Sequence, residues 1–141
     1  MKTILFICTG NYYRSRFAEI LFNHLAKEKN IPYRAFSKGL RISGRNVGEL
    51  SIHTKNYFDQ LHIDYSNYLK MPEVFEEIHM KNVDMIIALD EQEHRPMIQQ
   101  LFPHLEEKFI FWSFADDYIE TPETVLPKLE KKVQSFINSL A

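Results

Sequence analysis

The sequence predicts an α/β fold of three layers, with helices on both faces of a parallel sheet. Two observations carry this. Short apolar runs of strand length alternate with longer segments whose apolar residues recur every three to four positions, the pattern of βαβ units. The chain of 141 residues, 45% hydrophobic and 26% charged, also suits a single globular domain, 1–141, with a sizeable core. No repeat, low-complexity tract or linker-like run divides it.

The elements follow in order. "KTILFIC", residues 2–8, is a short apolar run with β-branched members and reads as a buried strand. Residues 14–29 place Phe17, Ile20, Leu21, His24 and Leu25 at helical spacing. "IPYRAFSKG" is a second strand closed by Gly39, and "LRISGRNVGEL" after it holds two of the four glycines and reads as a loop. A helix over 51–61 has Ile52, Tyr57, Phe58 and Leu61 as its apolar side, and a short one follows Pro72. "VDMIIALD", 83–90, is the clearest buried strand; Asp90 with Glu93 gives the D-x-x-E spacing of a capping box for the next helix. "KFIFWSF" is a fourth strand, with Trp112 in the core. "TPETVLPKLEKKVQSFINSL" is a closing helix with Thr121 as N-cap, Pro122 at its first position and Pro127 as a candidate for a bend.

Bulk properties exclude several classes. A formal charge of −2 argues against a nucleic-acid or polybasic membrane binder. No run reaches the roughly 18 apolar residues of a membrane span, and "MKTILFICTG" reads as a first strand rather than a signal peptide. The single cysteine rules out an intramolecular disulfide and any CxxC motif, and points to a reducing, cytoplasmic setting. The six histidines show no metal-ligand spacing, so neither a metal nor another cofactor is expected.

The chemistry concentrates in "CTGNYYRS", Cys8 to Ser15. A C-x5-R-S stretch between a strand and a helix lets loop amides and the helix N-terminus converge on one anion. Gly10 permits close backbone approach, Asn11 tolerates left-handed geometry, and Arg14 offers a planar fork for two phosphate oxygens. Cys8 beneath such an anion is favoured as a thiolate, to which Ser15 can donate a hydrogen bond. The plainer alternative is a buried strand-end cysteine followed by a helix that begins with arginine. The conjunction of Gly10, Asn11, Arg14 and Ser15 in that setting favours the anion site. Ligands in parallel sheets bind beyond the carboxyl ends of strands, so Cys8 and the "ADDY" segment after the fourth strand can face one crevice.

On these residues the chain resembles the low-molecular-weight protein tyrosine phosphatase family, whose signature is C-x-G-N-x-C-R-S-P. "FSKGL" at 36–40 looks like the family's S-A-G-L strand end, "DMIIALDEQE" like its D-x-I-x-x-M-D junction, and "ADDYIET" falls at its D-P-Y acid loop. The resemblance implies a four-stranded parallel sheet and phosphomonoester hydrolysis through a cysteinyl-phosphate without metal. It implies a phosphate-binding loop of Thr9, Gly10, Asn11, Tyr12, Tyr13, Arg14 and Ser15, with Cys8 as nucleophile. It also implies Asp116 as general acid, and Asp117 is the alternative, since adjacent carboxylates repel and favour one staying protonated.

Three positions depart from the pattern. Tyr13 replaces a second cysteine that can shield the nucleophile from over-oxidation. Arg16 replaces a proline and is read as a solvated helix residue. Asp117 replaces the proline of the acid loop. Tyr12, Arg41 and Tyr118 are the candidate pocket residues. The expected substrate is a phosphorylated protein, phosphotyrosine first, or a small aryl phosphate, with inorganic phosphate as product. A non-catalytic phosphate-binding or regulatory module is the alternative. Arsenate reduction with an external thiol is a distant third, because related reductases use two further cysteines.

Overall fold

The computed structural model describes every residue, Met1–Ala141. Four strands, β1 (Lys2–Cys8), β2 (Tyr33–Gly39), β3 (Met85–Ala88) and β4 (Phe109–Phe111), alternate with four helices. The helices are α1 (Arg14–Glu28), α2 (Ile52–Leu61), α3 (Glu91–Leu101) and α4 (Pro122–Leu140). The sheet order is β2-β1-β3-β4 and every neighbouring pair is parallel.

Side-chain alternation along β1 divides the core in two. Ile4, Phe6 and Cys8 join Phe17, Ile20 and Leu21 of α1 and Leu129, Val133 and Ile137 of α4. Leu5 and Ile7 face the other way, into a smaller cluster with Phe75, Ile98 of α3, Leu105 and Phe109. Helices therefore cover both faces, as the periodicity predicts. α2 docks on α1 through Phe58, whose ring stacks on Phe17 with centroids 4.9 Å apart. No helix is long and apolar enough to cross a membrane.

This strand order positions the site. β1 has β2 on one side and β3 on the other, so the chain reverses its direction of build at the carboxyl end of β1. That is the switch point where parallel sheets open a crevice. Cys8, paired in register with Gly39, ends β1 there.

Four local expectations need correction. β4 ends at Phe111, short of the predicted 114, although Trp112 and Phe114 still donate amides to Ala88 O at 2.9 Å and Leu89 O at 2.8 Å. Ser113 turns instead into an antiparallel bridge with Asp90. The Asp90–Glu93 capping box does not form: the Asp90 side chain caps nothing, and its amide donates to His94 Nδ1 at 3.0 Å. α2 buries Phe58 but leaves Ile52 and Leu61, expected on its apolar side, exposed. Arg16, expected in solvent, is 0% exposed. Its guanidinium donates to Glu19 Oε1 at 2.6 Å and to the Tyr68 carbonyl, so a buried carboxylate balances its charge.

Candidate active site

The loop from Cys8 to Ser15 is held by tethers that leave its centre free. The amides of Leu40 and Arg41 donate to the Cys8 and Thr9 carbonyls, both at 2.9 Å, tying the loop to the chain beyond β2. Gly39 makes that approach possible, because a Cβ there would lie 2.7 Å from Thr9 O and 2.9 Å from Asn11 N. Asn11 adopts the left-handed region, with φ of 51°, and is fully buried. Its amide nitrogen donates to Ser15 Oγ at 3.1 Å and Ser37 Oγ at 2.9 Å, while its oxygen accepts the Glu73 amide at 2.9 Å. Ser37 in turn donates to Glu19, so the buried Arg16–Glu19 pair extends this bracing.

Cys8 Sγ lies 2.9 Å from Ser15 Oγ, buried at the foot of the loop. Ser15 Oγ also accepts from Asn11, which fixes the hydroxyl beside the sulfur. α1 begins at Arg14 with no side-chain cap, which leaves its first-turn amides for an anion. Thr9 and Gly10 also fall where the sequence put them in the loop. Thr9 turns its hydroxyl away from the cleft to Glu93 Oε2, whereas Gly10 lines the cleft beneath Asn46.

Arg14 is only 1% exposed. Nη1 donates to Glu93 Oε1 at 3.2 Å and to the Phe114 carbonyl at 3.0 Å; Nη2 donates to Glu93 Oε2 at 2.9 Å and lies 3.4 Å from Asp116 Oδ2. Nε is buried and has no partner. Burial works against the positive charge, but Cys8, Glu93 and Asp116 outweigh it and hold the guanidinium protonated well above its ordinary range. Asp90 stands 3.9 Å from Nη1, and burial pushes its carboxyl up against the pull of Arg14.

A cleft of about 340 Å³ opens over Cys8 and Arg14. Tyr12, Asp116, Asp117 and Tyr118 line it, as do Ser43, Arg45 and Asn46 from the loop after β2. Asp116 and Asp117 thus meet the cysteine loop from a distant part of the chain, beyond β4. The Asp117 amide donates to Asp116 Oδ1 at 2.9 Å, a bond that a proline at that position would not allow. Tyr12 lies across the cleft's edge with its hydroxyl on the Val47 carbonyl, and Tyr118, 77% exposed, stands at the mouth. Arg41 is not among the lining residues: its guanidinium donates to Gln100 Oε1 at 2.7 Å, and Arg45 takes the place expected for it.

Tyr13 also borders the cleft, but its hydroxyl is buried without a partner and the residue is 5% exposed. Burial first, then the Asp117 charge, hold its phenol protonated well above the ordinary tyrosine range. A stranded hydroxyl costs about 1–3 kcal/mol. Tyr13→Phe is therefore expected to raise stability by about that amount in urea unfolding. A loss of stability would show that the hydroxyl is satisfied.

Sequence reasoning missed the supports: Ser37, Glu19, Glu93 and His94. Ser37 sits inside the quoted "FSKGL" and Glu93 inside the D-x-x-E spacing, so each carried a signal that pointed elsewhere.

A parallel sheet whose first strand ends in a Cys-to-Arg anion loop, faced by carboxylates from the fourth strand's exit, defines an α/β cysteine phosphatase of small size. The chain belongs to the low molecular weight phosphotyrosine protein phosphatase family, whose model matches residues 3–141. A protein-arginine-phosphatase of Bacillus subtilis (strain 168) is 30% identical over 105 residues, 74% of this chain and 66% of that protein. Among solved structures, a YwlE mutant from Bacillus subtilis superposes with a TM-score of 0.82 at 22% identity, covering 99% of both chains. A low molecular weight protein tyrosine phosphatase from T. tengcongensis gives 0.81 at 21% identity, covering 99% of this chain and 100% of that one.

Proposed function

We propose that this protein is a cytoplasmic protein phosphatase, built as one domain, that hydrolyses phosphomonoesters through a cysteinyl-phosphate on Cys8. The observation that carries the reading is the Cys8–Ser15 contact of 2.9 Å beneath an Arg14 whose Nε is buried and unpaired. Arg14 Nε and the loop amides hold the phosphoryl oxygens and stabilise the charge that builds on them. The Cys8 thiolate attacks phosphorus while Asp116 protonates the departing oxygen. The same aspartate then takes a proton from water, which attacks the thiophosphate. Phosphate departs, and the Ser15 hydroxyl stabilises the returning thiolate.

Phosphotyrosine is the substrate this reading favours, because Tyr12 and Tyr118 offer aromatic edges to a planar ring. A second reading is phosphoarginine. It draws on the relative named a protein-arginine-phosphatase and on Asp117, a second carboxylate at the mouth that a guanidinium could engage. Purified protein assayed with an aryl phosphate, a phosphotyrosyl peptide and a phosphoarginyl peptide decides between them. The first two are expected to turn over faster. The opposite order moves the assignment to arginine. Phosphate binding without hydrolysis of any of the three replaces catalysis by a binding module.

A further inference from the structure

Arg14 presents two hydrogen-bonding edges, and this chain has already filled one. Glu93 takes the edge formed by Nη1 and Nη2 with both carboxylate oxygens, at 3.2 and 2.9 Å. Nε itself stays buried and unpaired, while Nη2 also lies 3.4 Å from Asp116 Oδ2. Glu93 is itself fixed from behind. Thr9 Oγ1 donates to its Oε2, and His94 Nε2 lies 3.3 Å from the same oxygen. The Asp90 amide donates to His94 Nδ1, so the ring proton sits on Nε2, toward Thr9 Oγ1 at 3.1 Å and Glu93. His94 is fully buried, which holds the ring in that orientation. Burial favours the neutral acid, but the bonds from His94 and Arg14 prevail and hold the Glu93 carboxyl well below the usual range.

Two consequences follow from a fixed carboxylate on the far edge of the arginine. It sets the plane of the guanidinium, so the Nε edge is aimed before an anion arrives. It also sets a negative charge directly behind the group that grips phosphate, where low dielectric magnifies repulsion. We propose that Glu93 is a positioning residue for Arg14 and a resident counter-anion that keeps product phosphate weakly held. The proposal rests on the phosphatase reading for its catalytic half alone; the hold on phosphate is measurable without turnover.

Calorimetry of inorganic phosphate binding and steady-state kinetics on an aryl phosphate test it, with wild type, Glu93→Gln and Glu93→Ala. Gln keeps the shape and one acceptor but removes the charge. Phosphate is expected to bind roughly tenfold tighter while kcat falls roughly tenfold. Ala removes the clamp as well, so phosphate affinity and kcat are both expected to fall, kcat by roughly 100-fold. Simple structural damage would not tighten phosphate binding. Unchanged or weaker phosphate binding in the Gln variant overturns the counter-anion role, and unchanged kcat in both variants overturns the positioning role. Should the Gln variant not fold, Glu93→Asp serves: it retains the charge but shortens the reach, so phosphate stays weak and kcat drops. Tighter phosphate in that variant contradicts the account. A wild type that binds phosphate yet hydrolyses nothing sinks the phosphatase reading and leaves the affinity comparison intact.

Discussion

The Cys8→Ser protein is expected to bind inorganic phosphate and to turn over no substrate. Loss should be at least about 10⁴-fold, the scale seen when the nucleophile of a cooperating site is removed. Binding should survive because the partners proposed for the anion, Arg14 Nε and the α1 amides, are left untouched by the exchange. A phosphoserine formed in the variant would be a dead end, since an alkoxide leaves far less readily than a thiolate. Calorimetric binding alongside a hydrolysis assay reads both halves. Residual turnover near the wild-type level would place the nucleophile elsewhere, and lost phosphate binding would mean that the sulfur shapes the cradle.

The second large effect belongs to Asp116, the proposed acid. Asp116→Asn is expected to lower kcat on an alkyl phosphate by roughly 10²–10⁴-fold, the usual contribution of a positioned proton donor. An aryl phosphate with a stable phenolate should suffer much less, because its leaving group needs little protonation. Asp117→Asn should change either rate only slightly. The distinction rests on placement. Asp116 Oδ2 is 3.4 Å from Arg14 Nη2 and its other oxygen accepts the Asp117 amide, whereas Asp117 is exposed at the mouth. A larger loss in the Asp117 variant would exchange their roles.

What the sequence could and could not foretell divides along contact range. Apolar runs and helical spacing are local, so the α/β order and the strand ending at Cys8 were legible from residues 2–8 and 14–29. The loop was legible because its demands are local as well: a left-handed Asn11, and Ser15 within the same short segment as the sulfur. Its supports were not, since each depends on a distant partner. Glu93 satisfies a helix-capping spacing on paper, yet its carboxylate reaches Arg14 across 79 residues. Arg16 looks like a surface charge until the fold brings the Tyr68 carbonyl to it, while Glu19 completes the pair one turn along α1. Arg41 and Arg45 are equivalent by composition; Gln100 draws the first out of the cleft and leaves the second. The stranded hydroxyl of Tyr13 likewise exists only once α2 packs beside it, with His53 edge-on to its ring.

The central claim is that phosphate passes through a covalent bond to Cys8. Rapid acid quench of Asp116→Asn during turnover of an aryl phosphate tests this directly, because slowing water attack lets the intermediate accumulate. Intact-mass and peptide analysis should find one phosphoryl group per chain, attached at the Cys8 sulfur. Hydrolysis that proceeds with no phosphoryl group on the protein, or with one on any other residue, would contradict the account.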